Sequence, residues 1–309
     1  MKIGIPRALL YHQYGRMWET FLEDLDCQVI LSPETTKDLL TRGELLSIDE
    51  ACLSSKIFMG HAEWLIGRCD CIFVPRIANF GEDGIMCTKF EALYDLVANT
   101  FREQKPSLLD CEIDEKQGKK EKEAFLQLGK RMGKRRSESG RAYDRARKAY
   151  QDVCDRRADA LEEQLKSKDL KILVVAHPYL ANDQYIGKPV LDVIRQLGAT
   201  PLLACHASRQ KALEHYAALS PSVPWTMSRE LIGAVAMYES QVDGIILMSA
   251  FPCGPDSLVN ELLMRRIKGK PMLQLTMEAQ SGNAGIETRL ESFIDIIHMK
   301  QEKNFEIQG

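Results

Sequence analysis

Nine thiols offer the most chemistry in this sequence: Cys27, Cys52, Cys69, Cys71, Cys87, Cys111, Cys154, Cys205 and Cys253. The number is odd, the spacing is irregular, and no two stand as C-x-x-C, so a disulfide framework is not indicated. Thiolate chemistry is the alternative, as a nucleophile or a metal ligand. Three cysteines stand in loop or helix-start positions: Cys52 in "DEACLSSK", Cys87 in "NFGEDGIMCTKF" and Cys253 in "SAFPCGPDSLVNELL". A helix N-terminus stabilises a thiolate by roughly 0.3–1 kcal/mol. For Cys253, core residue, nucleophile and metal ligand are all open. A phosphatase-type loop needs an arginine to close on the anion, but the next one is Arg265. A Walker-type loop lacks its Gly-Lys-Ser/Thr. A Cys–His pair with His177 or His206 stays open. Cys27, Cys111, Cys154 and Cys205 read as small buried hydrophobes. Cys69 and Cys71 read the same way, with auxiliary metal binding as the other reading.

These positions need a frame. "KIGIP", "CQVILSP" and "CIFVPRI" read as strands, with helices in "YGRMWETFLEDL" and "SIDEACLSSKIFMGHAEWLIGR". The second helix carries a capping-box pattern from Ser47 to Glu50. After a charged stretch, strands recur in "KILVVAHPYL", "TPLLACH", "DGIILMSAF" and "KPMLQLTM". Helices separate them. Alternation of this kind predicts an α/β fold of two Rossmann-like parallel-sheet units. The expected division is an N-terminal α/β domain over 1–110, a charged helical segment over 111–168 and a C-terminal α/β domain over 169–309. Gly129, Gly133 and Gly140 are the expected helix breaks in the middle segment. Its basic "RMGKRRSESGR" reads as a solvated face first and as a docking surface for an acidic partner second.

In open parallel sheets, ligands gather beyond the carboxyl ends of the strands. Cys253 lies at such an end, and so does His177, which faces a cleft or simply packs. His61 reads as a packing residue, and Asn182 and Asp183 as turn formers. Asp256 and Ser257 read as caps for the helix after Cys253, and Thr288 with Glu291 as a capping box for the last helix. The chain has 309 residues, 45% hydrophobic and 28% charged, with a net charge of −3. That composition is globular and points to no nucleic-acid binding. No apolar run has the roughly 18–20 residues that cross a bilayer, and Pro6 and Arg7 interrupt any secretion core. A cytoplasmic protein without membrane association is the expectation.

Long stretches also carry a resemblance. "KIGIPRALLYHQYGRMWETFLEDLDCQVILSPETT", "DEACLSSKIFMGH", "VPRIANFGEDGIMCTKF" and "FPCGPDSLVNELLMRRIKGKPMLQLTMEAQSGNAGIETRLESFID" resemble the acyl-CoA dehydratase activase-related family. That family falls within the group of 2-hydroxyacyl-CoA dehydratase subunits and double-cubane-cluster proteins. The resemblance implies that Cys52, Cys87 and Cys253 ligate an iron–sulfur cluster, 4Fe–4S or a larger derivative. It implies low-potential electron transfer or reductive dehydration in an anaerobic host, or else a non-catalytic accessory or scaffold that binds a cluster or zinc. The implied partners are an ATP-dependent activator protein, a second subunit in a homo- or heterodimer, and an acyl-CoA or other small substrate. The activator's own Asp-Gly phosphate loops are missing, so the chain is not expected to be an ATPase. At Glu278-Ala279-Gln280, Ala279 replaces a carboxylate more common in related chains. Ser54 and Thr88 stand where those chains often have proline.

Overall fold

Short apolar, β-branched runs form the strands. They are β1 (Lys2–Ile5), β2 (Gln28–Leu31), β3 (Cys71–Phe73), β4 (Arg76–Asn79), β5 (Leu108–Leu109), β6 (Glu112–Asp114), β7 (Leu170–Val175), β8 (Ala199–Leu203), β9 (Gly244–Ala250) and β10 (Met272–Met277). The structure is a computed structural model that describes residues 1–81, 84–279 and 283–308. It has two units, residues 1–154 with 224–226, and residues 155–223 with the chain from 227 onward.

In the first unit β1, β2, β3 and β5 form a parallel sheet in the order β2-β1-β3-β5. Pro75 has no amide proton for a ladder, so the run expected as one strand is split into β3 and β4. The ladder resumes beyond it: Val74 N donates to Leu109 O (2.8 Å), Arg76 N donates to Cys111 O (3.0 Å), and β4 pairs in parallel with β6. Phe21, Phe73, Phe101 and Phe125 are fully buried in this unit. Phe21 and Phe125 meet edge to face at 4.8 Å.

The second unit has an all-parallel sheet in the order β10-β9-β7-β8. Numbered along the chain within each four-stranded sheet, both orders are 2-1-3-4. The two-unit α/β expectation therefore holds. Each sheet also has the switch point between its first and third strands at which such folds bind ligands.

Several local expectations are corrected. The helix read from Ser47 starts at Leu53 and runs to Leu65, and Ser47 Oγ is buried with no partner, so no capping box forms. A further helix, Lys37–Leu45, precedes it and is capped by Thr36, whose side chain accepts from Leu39 N. These two helices cross at glycines: a Cβ on Gly60 would lie 2.0 Å from Leu39 O, and one on Gly43 would lie 1.8 Å from Lys56 O. Residues 112–114 are strand β6, a short 3-10 helix follows at Glu115–Gln117, and the α-helices of the charged segment are Glu121–Arg131 and Arg136–Leu165. Gly133 (φ +75°) is the one expected break that forms. Gly129 lies inside a helix, where a Cβ would be 2.0 Å from Ser139 Oγ, and Gly140 also lies inside a helix. The basic stretch is paired within the first unit, Lys134 with Asp26 (3.0 Å), Arg136 with Glu123 (2.8 Å) and Arg135 with Glu138 (3.1 Å). The last helix begins at Asn283, so Thr288 is interior and its carbonyl accepts from Ser292 Oγ (2.9 Å). Gln280 lies outside the described residues.

Candidate metal-ligand positions

The three singled-out cysteines share one local geometry. Cys52 is the N-cap of Leu53–Leu65 (φ −65°, ψ 152°). Cys87 is the N-cap of Thr88–Glu91 (φ −62°, ψ 136°). Cys253 is the N-cap of Gly254–Arg266 (φ −79°, ψ 106°). None of them makes a side-chain capping bond, and all three are half-buried. An extended N-cap holds its side chain beside the unpaired amides of the first turn, where negative charge is favoured.

Different local causes put them there. After Ala250 the chain turns through Phe251 and Pro252, Cys253 N donates to Ala250 O (2.7 Å), and Pro255 stands at the start of the helix, where its missing amide proton costs nothing. The loop that leads to Cys87 is held within the first unit. Met86 N donates to Ala78 O (2.8 Å), Ile85 N donates to Pro224 O (2.9 Å), and Thr226 N donates to Ile85 O (2.9 Å). Cys52 Sγ lies 3.2 Å from Ser55 Oγ, in the first turn of its helix.

Burial pushes Cys71 up to about 11 and Cys205 up to about 12, and it also raises Cys27, Cys69 and Cys111. Such groups stay as thiols at neutral pH. In kind, the half-buried thiols at helix starts fit an iron–sulfur cluster or zinc, both of which take soft thiolate donors. Cys52 and Cys87 belong to the first unit and Cys253 to the second. Among the described residues, no group of three or more His, Cys, Asp or Glu side chains is arranged to hold a metal ion. Large apolar side chains are exposed close by in sequence: Leu45 and Ile48 before Cys52, Ile85 before Cys87, and Phe251 and Leu258 on either side of Cys253.

Histidines fix two of the three helices. His61 is fully buried on the helix that Cys52 caps, with Nδ1 2.7 Å from Ser32 Oγ and Nε2 3.0 Å from Thr35 Oγ1. Burial, with the nearby His12 and Arg7 charges, lowers its pKa to about 3, so it is neutral, and its packing role is as expected. His177 directly follows Ala176 at the end of β7, and its Nε2 is 2.9 Å from Asp256 Oδ1. Burial alone would lower the His177 pKa, but the Asp256 carboxylate and its hydrogen bond outweigh this and raise it.

Asp256 is therefore not the helix cap expected from its position. Its carboxylate turns to a residue 79 positions away, and Ser257 Oγ donates to Cys253 O (2.8 Å). This pair went unseen in the sequence, where the only signal was a histidine at a strand end. Asp183 is a turn former as expected, accepting from Tyr185 N and Ile186 N (both 2.9 Å).

No helix among the described residues is long and apolar enough to cross a membrane. Comparison with curated proteins finds no match. Among solved structures, the chain is similar to the SBP FpvC from Pseudomonas aeruginosa in complex with Mn2+, at 13% identity and a TM-score of 0.31, over 98% of this chain and 99% of that one. It is also similar to ZnuA, at 10% identity and a TM-score of 0.27, over 96% and 98%. Likeness at these scores carries no argument about function. The decisive match is to a family model, the CoA enzyme activase uncharacterised domain, over residues 2–205, and the chain belongs to that family.

Proposed function

We propose that this chain is an iron–sulfur protein of the wider group of 2-hydroxyacyl-CoA dehydratase subunits and double-cubane-cluster proteins. In this reading Cys52, Cys87 and Cys253 hold a 4Fe–4S-type cluster. The observation that carries it is the shared geometry of the three cysteines: each is an extended, half-buried N-cap with no side-chain capping bond.

A bound cluster would supply one-electron chemistry at low potential, with one iron left open by a three-thiolate ligand set. The protein's part is to hold three thiolates at helix N-termini, where backbone amides favour the charge. The reading requires the three sulfurs to gather when the cluster is loaded. Low-potential electron transfer or reductive dehydration of an acyl-CoA in the cytoplasm is the activity proposed. An ATP-driven activator is its electron source and a second subunit its partner. The exposed Phe251, Leu258, Leu45 and Ile48 suit a protein partner better than open water.

Anaerobic purification, followed by iron and acid-labile sulfide analysis and EPR after reduction, tests this. About four irons and four sulfides per chain support a 4Fe–4S cluster. Stoichiometric zinc without sulfide contradicts it and favours a zinc-binding accessory protein.

A further inference from the structure

The helix Gly254–Arg266 buries only Asp256, Val259, Asn260 and Leu263, and half of that set is polar. A buried ion pair contributes little net stability compared with apolar side chains of the same size, because desolvation offsets the attraction. Stability alone is therefore a poor reason for His177 and Asp256 to meet here. Their geometry suggests another. Asp256 is the third helical residue, where a carboxylate ordinarily reaches back to the N-cap amide. That amide, Cys253 N, is already bonded to Ala250 O (2.7 Å). The carboxylate is left to cross to His177, which caps the short helix Pro178–Ala181 directly after β7 and stacks on Tyr179 at 5.1 Å. One hydrogen bond thus ties the end of the unit's first strand to the first turn after its third strand, across the switch point of the sheet. His177 and Asp256 are 5% and 6% exposed. His177 Nδ1 is buried with no partner, and His177 lines a small cavity together with Ala204, Cys205 and Glu230, with room for about one water.

We propose that His177 and Asp256 are positioning residues for Cys253: their buried hydrogen bond locks the first turn of the helix that Cys253 caps and so fixes how the thiol is presented. This deepens the cluster-ligand reading of Cys253 and rests on it for its biological meaning. The tie itself is a property of the protein without metal.

The test is the rate at which iodoacetamide alkylates Cys253 in the full chain after chelation, read by peptide mass spectrometry as a ratio to Cys52. Cys52 lies in the other unit, so the ratio cancels reagent and handling effects. D256N keeps an acceptor for His177 and holds the ratio within about twofold of wild type. D256A and H177A each raise it about fivefold or more by opening the first turn locally. The double variant H177A/D256A rises no further than either single variant, because both remove one interaction. If D256A does not fold, H177F/D256L removes the pair while filling its space, and the same rise is expected. A ratio that stays within about twofold of wild type in D256A and H177A, or in H177F/D256L, overturns the proposal, as does a D256N ratio matching D256A. A failure here leaves the iron analysis untouched, and a chain that binds no iron leaves this ratio interpretable.

Discussion

Two helices begin at a candidate ligand and are fixed by a buried histidine, but by opposite physics. The helix Leu53–Leu65 buries ten of its residues, among them Ile57, Phe58, Met59 and Leu65. Glycines let it lie against its neighbour, and its histidine is neutral between two hydroxyls. The helix Gly254–Arg266 buries four, with Leu258 and Met264 exposed, and is tied by a charged pair. Cys52 is thus held mainly by packing. Cys253 is held largely by one electrostatic contact. The same ligand geometry is reached in a stiff setting and in a sensitive one.

The contrast can be broken at either end. The largest effect near neutral pH is expected for D256A, which removes the partner of the buried His177 and costs about 3 kcal/mol in urea unfolding near pH 6. The His177 pKa is raised in the folded state. The pair's contribution is therefore full below the unfolded value of about 6.5 and is lost as pH rises through the folded one. The cost of D256A should accordingly shrink as pH rises through the folded value, and a cost independent of pH would contradict the charged pair. Next comes Gly60→Ala, whose Cβ would lie 2.0 Å from the Leu39 carbonyl. It should cost about 2 kcal/mol by urea unfolding, and a neutral result would deny the close crossing.

His61 gives an effect of opposite sign, which is small near neutral pH and grows only in acid. Its pKa is lowered to about 3, so the unfolded chain takes up a proton that the folded chain refuses. Stability then falls as pH drops from about 6.5 toward 3, by at most about 1.4 kcal/mol per pH unit from this group. H61Q should flatten that slope. Smallest is R136A, which breaks the exposed pair with Glu123 and should change stability by about 0.5 kcal/mol or less. A larger loss would give the charged segment a role that its solvated ion pairs do not suggest.

The strands were legible because apolar, β-branched runs such as "GIILMSA" announce themselves, and the two-unit α/β architecture followed from their alternation with helices. The shared 2-1-3-4 order was not legible. The halves show no sequence repeat, and strand order depends on which neighbours pair. Helix starts misled wherever a local pattern competed with a distant partner. Ser47 with Glu50 and Thr288 with Glu291 have capping-box spacing, yet the first helix starts at Leu53 and the last at Asn283. Asp256 looked like a cap, but its partner stands 79 residues away. The close crossings at Gly43 and Gly60 left only two glycines in a helical pattern as their trace. The helix start at Cys52 and the turn at Cys253 are legible from local punctuation by proline, glycine and polar residues, whereas Cys87 reads only as a loop residue and proves to cap the short helix Thr88–Glu91.

The central claim is that Cys52, Cys87 and Cys253 act together as ligands. It is tested most directly by iron content per chain in anaerobically purified C52A, C87A and C253A, with C27A as the buried-thiol control. Each of the three variants should lose most of the iron found in wild type, and C27A should keep it. Iron that survives in any one of the three at the wild-type level, or that falls equally in C27A, would contradict the account.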